Sequence, residues 1–275
     1  MEMPTMAEQS IDLSELLHLM ERLRDPVDGC PWDREQNFAS IAPHTLEECF
    51  ELIDAIEQDD LSQVEEELGD VLFQVVFYAQ LGRELGRFDL QRVADRLVEK
   101  LLRRHPHVFP DGSLSSRAAE KTDVAAIKAT WERIKSEERR GKAQTSLLAD
   151  IPRSLPALSR AQKVQKRVSQ VGFDWPDRAG VYDKLSEELT ELAEAVDRGV
   201  QDDIAAELGD LLFTVVNLGR HLKVDCEAAL RGATGRFEKR VQHMESAADH
   251  QGRSLVDETP EQLDERWNHA KRETS

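Results

Sequence analysis

Apolar residues recur along this chain at three- and four-residue intervals, and segments alternating with period two are few. Leu13, Leu16, Leu17, Met20 and Leu23 predict an amphipathic opening helix that stops at Asp25-Pro26. A Gly- and Pro-containing loop runs from Val27 to Asp33, after which Pro43 is expected to open a helix carrying Glu47, Glu48 and Glu51 and ending at Asp59-Asp60. Further helices are expected from the segment of Glu67 and Asp70 to about Gly86, from Leu90 to Arg104, and from about Ala118 to Arg140. The plan then repeats, with helices over Leu158 to Gln170, Asp183 to Asp197, Asp203 to Leu222, Cys226 to Ala247 and Pro260 to Lys271. The pattern predicts an all-α chain of two tandem helical units, residues 1–140 and 157–275, with a linker at 141–156 broken by Pro152 and Pro156.

Within the second unit, Glu188-Leu189-Thr190-Glu191 and Glu207-Leu208-Gly209-Asp210 each set two carboxylates three residues apart, on one helical face. A turn signal at Asp197-Arg198-Gly199 makes the two helices antiparallel, so both pairs point into one groove. Four like charges there repel unless divalent cations sit between them, and oxygen-only donors favour hard ions such as Mg²⁺, with Mn²⁺ a second candidate. A lone ExxE is equally common on a solvated face. Here the run Leu211 to Val216 is apolar on almost every side, which predicts burial and sets Glu207 and Asp210 at a core edge.

The same words occur 140 residues earlier, as Glu48, Glu51, Glu67 and Asp70, and the ten residues from Glu67 match those from Glu207 except at Val71 and Gln74. At an offset of 136, Lys100 and Arg104 answer to Arg236 and Arg240, and Trp131 and Lys135 to Trp267 and Lys271. Basic pairs four apart share a face that grips phosphate or simply meets solvent and nearby Glu. The tryptophans are core residues or stacking platforms for a base. His105-Pro106-His107 reads as a helix-ending turn, since a metal site lacks its third ligand. Gly69 and Gly209 each cost a helix roughly 1 kcal/mol against Ala, which close approach of another helix or a ligand would explain.

A formal charge of −18 argues against coating nucleic acid. Cys30, Cys49 and Cys226 form no CxxC pair and suggest a reducing compartment. The longest apolar stretch, Leu208 to Leu222, contains Asp210, Asn217, Arg220 and His221 and is too short to span a membrane. Met1 to Ser10 lacks a signal-peptide pattern, so the expected compartment is the cytoplasm.

Taken with Gly29-Cys30-Pro31-Trp32-Asp33, Arg103-Arg104-His105-Pro106-His107-Val108-Phe109, Ile151 to Leu158 and Val171-Gly172-Phe173-Asp174-Trp175, the two ExxE…ELGD pairings resemble the MazG family of nucleoside triphosphate pyrophosphohydrolases in its two-domain bacterial form. The resemblance covers nearly the whole chain. It implies antiparallel helix bundles completed by homodimer formation, and Mg²⁺-dependent cleavage of a range of nucleoside triphosphates to monophosphate and pyrophosphate. It makes Glu188, Glu191, Glu207 and Asp210 metal ligands, places Lys184 and Glu187 at the nucleotide, Arg236 and Arg240 on the triphosphate, and Trp267 at the nucleotide site. Lys184, Glu187 and Glu188 are the catalytic candidates, with Glu187 the suggested proton acceptor. Relatives can carry Lys where this chain has Arg236.

In the first unit His44 stands where the second has Lys184, and an imidazole is the poorer phosphate partner at pH 7. The second unit is therefore expected to carry most activity. A di-iron carboxylate protein would need Glu-x-x-His pairs, which are absent at these positions. A non-catalytic nucleotide-binding or interaction module leaves the paired carboxylates without a purpose.

Overall fold

The computed structural model of the protein describes residues 12–117, 123–141 and 146–274. Met1 to Ser10, the expected helix start at Ala118, part of the linker and the Lys135 side chain lie outside the described residues. Among the described residues every regular element is helical. The chain divides into two compact units after Ile134.

Unit 1 contains α1 (Ser14–Leu23), the one-turn α2 (Pro31–Glu35), α3 (Phe38–Glu57), α4 (Leu61–Glu84) and α5 (Leu90–Arg104), with α6 (Val124–Gly141) straddling the division. Helices α3 and α4 pack on each other, and α1 and α5 pack on α4. Unit 2 contains α7 (Ala157–Ser169), α8 (Arg178–Arg198), α9 (Gln201–Leu222), α10 (Cys226–Asp249), a 3-10 turn at Leu255–Asp257 and α11 (Pro260–Glu273). Here α8 pairs with α9, α7 packs on both α9 and α10, and α10 packs on α11.

The repeat is legible in the cores. Ile41, Ala55 and Val76 are buried in unit 1, and the residues 140 positions on, Val181, Ala195 and Val216, are equally buried in unit 2. Met20, Phe77 and Leu81 complete the first core. The turns also correspond. Asp59 (φ 58°) and Gly199 (φ 70°) both adopt the left-handed conformation that reverses the chain between the acidic helices.

Three expectations need correction. Pro43 does not open its helix. Asn37 accepts from the Ala39 and Ser40 amides, and Ser40 reciprocates at the Asn37 amide; this capping box starts α3 five residues before the proline, which lies inside the helix. Likewise α8 begins under an Asp177 cap, ahead of the expected Asp183. Nor is α9 buried all round. Thr214, Val216, Asn217 and Gly219 are buried, while Leu208, Leu212, Phe213 and Val215 stay exposed, because α7 and α8 cover only part of the helix.

Candidate active site

In each unit one antiparallel helix pair, α3–α4 or α8–α9, brings the carboxylates together. In unit 2, one oxygen each of Glu188, Glu207 and Asp210 lie within 4.8 Å of one another, and in unit 1 so do those of Glu48, Glu67 and Asp70. In each cluster the first residue comes from one helix of the pair and the other two from its antiparallel partner, so tertiary packing makes the site. Glu188 is 4% exposed, Glu207 half-buried and Asp210 open to solvent. Glu191 and Glu51 are outside these three-oxygen clusters.

A buried carboxylate without a partner is costly. Lys184 meets that cost for Glu188. Its ammonium donates to Glu187 Oε1 at 2.7 Å, lies 2.9 Å from Glu188 Oε1, and approaches Glu191 Oε2 at 4.0 Å. The hydrogen bond to Glu187, then that to Glu188, holds the Lys184 pKa far above its usual value. Burial raises Glu191, Lys184 opposing it.

At the matching position unit 1 has a histidine, not a lysine. His44 Nδ1 stands 3.5 Å from Glu47 Oε2 and packs edge-on against Trp32. Burial, then the charge of Asp70, pushes the Glu48 carboxyl up, and Glu67 is raised by burial and then by Glu51. Both clusters offer oxygen donors alone, over a span that a hard cation with metal–oxygen distances of about 2.0–2.5 Å bridges. The residues present therefore fit the metal that the resemblance implies, and Glu188, Glu207 and Asp210 would hold it.

The remaining candidates lie on α10 and α11, where Arg240 and Trp267 come together. The Arg240 guanidinium lies 5.5 Å over the Trp267 ring, and Phe237 tilts against that ring at 5.2 Å. Arg236 is exposed one turn earlier. The carboxylates occupy the α8–α9 pair and the Arg–Trp group the α10–α11 pair, with α7 packed on both pairs. Phe237 went unnoticed in the sequence, although its place three residues before Arg240 puts it on the same face. Gly69 and Gly209 have nothing within 4 Å of an added Cβ, so no helix of their own unit explains them.

Residues 36–109 and 179–245 match the family model of the MazG nucleotide pyrophosphohydrolase domain, once in each unit. A nucleoside triphosphate pyrophosphohydrolase of Escherichia coli K12 is 48% identical over 263 residues, covering 95% of this chain and 97% of the relative. The Thermotoga maritima protein named nucleoside triphosphate pyrophosphohydrolase/pyrophosphatase MazG is 47% identical, with 97% and 98% covered. A solved mazG-related protein from the same organism aligns at 27% identity over 44% of this chain and 97% of its own, with a TM-score of 0.36. No described helix is long and apolar enough to cross a membrane. Matched twice by the family model and nearly end to end by its relatives, the chain belongs to the MazG family and is a nucleotide pyrophosphohydrolase.

Proposed function

We propose that unit 2 hydrolyses nucleoside triphosphates at the α-phosphorus, releasing nucleoside monophosphate and pyrophosphate, with Mg²⁺, or Mn²⁺ in its place, held by Glu188, Glu207 and Asp210 and completed by Glu191. The observation that carries this reading is the three-carboxylate cluster with Lys184 seated on its buried member. A hard dication there supplies charge neutralisation on phosphate oxygens and an acidified water. Glu187, more than half exposed beside Lys184, accepts the proton of the attacking water. Water oxygen bonds to the α-phosphorus, the bond to the α,β-bridging oxygen breaks, and pyrophosphate leaves. Lys184, Arg236 and Arg240 offset the charge gathering on that leaving group.

Trp267, with Phe237 against it, presents a stacking face to the base, and stacking tolerates every base. A broad ribo- and deoxyribonucleotide range follows. We further read the enzyme as a homodimer of chains with units at 1–140 and 157–275. The exposed Leu208, Leu212 and Val215 of α9, matched by Leu68, Leu72 and Val75 of α4, are apolar stripes that a second copy would cover. Three free cysteines and a charge of −18 fit a cytoplasmic protein without nucleic-acid or membrane partners. Pyrophosphate release is the test, screened over canonical and damaged triphosphates with Mg²⁺, Mn²⁺ or chelator. Turnover that persists in chelator, or release of orthophosphate alone, would overturn the reading.

A further inference from the structure

We propose that unit 1 carries a base-recognising cluster of its own, built from His105, His107 and Trp131 and taking the nucleobase of a nucleoside or nucleotide. Helix α5 ends at Arg104, and the chain turns through His105-Pro106-His107 beneath Trp131 of α6. The ring centroids lie 5.6 Å apart for the two histidines, 5.3 Å for His105 and Trp131, and 6.5 Å for His107 and Trp131. His107 Nδ1 and Trp131 Nε1 are both buried without a hydrogen-bond partner among the described residues. Buried polar atoms are paired in nearly all proteins, so two orphans on neighbouring rings ask for a guest that pairs them.

The chemistry of the three nitrogens specifies that guest. His105 Nδ1 lies 2.6 Å from the Leu101 carbonyl, which can only accept, so Nδ1 carries a proton and, in the neutral ring, Nε2 is the acceptor. The Trp131 indole can only donate, and His107 Nδ1 donates or accepts according to tautomer. Donor, acceptor and switchable group among flat rings complement a nucleobase, which stacks on one face and hydrogen-bonds along one edge. A metal ion is a poorer occupant: among the described residues no three-ligand group gathers here, and an indole N–H is no ligand. The last turn of α5 carries Arg103 and Arg104, a cationic approach that favours the phosphorylated form.

The corresponding Trp267 of unit 2 is flanked by Arg240 and Phe237, a setting for stacking. Unit 1 reads an edge as well, so it discriminates among bases where unit 2 does not. The inference takes its ligand class from the proposed function, yet the two fail separately. Pyrophosphate release by the unaltered chain reports the hydrolase reading, whereas the Trp131 indole reports this one.

The full chain, labelled with ¹⁵N at tryptophan, is titrated with the four nucleosides and with their non-hydrolysable α,β-methylene triphosphates. The Trp131 indole resonance is identified by its loss in Trp131→Phe, or, should that variant not fold, by elimination with Trp32→Phe, Trp175→Phe and Trp267→Phe. The expected result is a saturable shift of that resonance, larger for one base than for the others. In His107→Leu the dissociation constant rises about tenfold, the size of one lost hydrogen bond, whereas His107→Asn, which keeps a polar group near Nδ1, stays close to the unaltered protein. A shift with nucleosides alone assigns the base as sufficient, and a shift with the triphosphates alone adds a phosphate contact; both support the proposal. It is overturned if the Trp131 resonance stays still while Trp267 responds, as for a cluster satisfied by an internal water. It is equally overturned if tripolyphosphate moves Trp131 as much as any nucleotide.

Discussion

Units 1 and 2 hold matching carboxylate clusters on matching helix pairs, and they part company one turn before the first carboxylate, where α3 has His44 and α8 has Lys184. Lys184 binds Glu187 and Glu188 together, while His44 reaches Glu47 and leans on Trp32. The cluster geometry depends on residues that the two cores share, so it survives duplication and drift. The neighbouring cation is an ion-pair partner of the carboxylates rather than a core residue, and it differs between the units. On the proposed reading, the repeat separates the carboxylate cluster, common to both units, from the cation beside it, which only unit 2 has at this position.

The largest test of that comparison removes a carboxylate from either side. Glu188→Ala is expected to lower pyrophosphate release by about a thousandfold or more, on the scale of losing a principal transition-state stabiliser, and Glu48→Ala to leave it within about twofold. Equal losses would erase the ranking. A smaller change converts one unit toward the other: Lys184→His is expected to reduce kcat by about a hundredfold, the scale for one electrostatic contact to the reacting group. His44→Lys in the Glu188→Ala background should restore measurable release, and no recovery would mean that more than the cation separates the units.

Stability gives a finer comparison. An added Cβ at Gly219 would meet Cys226 Sγ at 2.2 Å, whereas one at Gly209, on the same helix, would meet nothing. Gly219→Ala should therefore destabilise by about 1–3 kcal/mol as overpacking. Gly209→Ala should stabilise the isolated chain by about 0.5–1 kcal/mol through helix propensity. Urea titration of both variants decides it, and destabilisation by Gly209→Ala would point to a partner surface at that backbone.

The smallest effect is in acid. Hydrogen bonds from Arg266 hold the Glu258 carboxyl below its ordinary value near 4.5, and hydrogen bonds from Arg24 do the same for Glu84 in unit 1. A depressed carboxylate contributes stability above its unfolded pKa and loses it as pH falls through the folded one. Melting temperature should therefore drop below about pH 4.5, and Glu258→Gln should flatten that fall more than Glu84→Gln, because the Glu258 side chain is 2% exposed against 34%.

Much of this was legible in the sequence because it is local. The three-residue carboxylate spacing and the Lys184–Glu187–Glu188 contacts follow from one turn of helix, and the 140-residue echo marked both copies. The helix starts at Asn37 and Asp177 were missed because a cap precedes the apolar rhythm that announces a helix. The exposure of α9 was hidden for a different reason: an apolar run says that something covers it, not that its own unit does. The clustering of Trp131 with His105 and of Arg240 with Trp267 joins residues 26 and 27 positions apart, and no periodicity encodes such pairs.

Lys184 rides the same coil as Glu187 and Glu188, so thermal breathing of the bundle leaves that trio intact. Glu188 meets Glu207 and Asp210 only across the α8–α9 seam. Whatever ties those three oxygens together acts as a rivet between two rods, and amide exchange along the seam becomes a gauge of how often the rivet is in place.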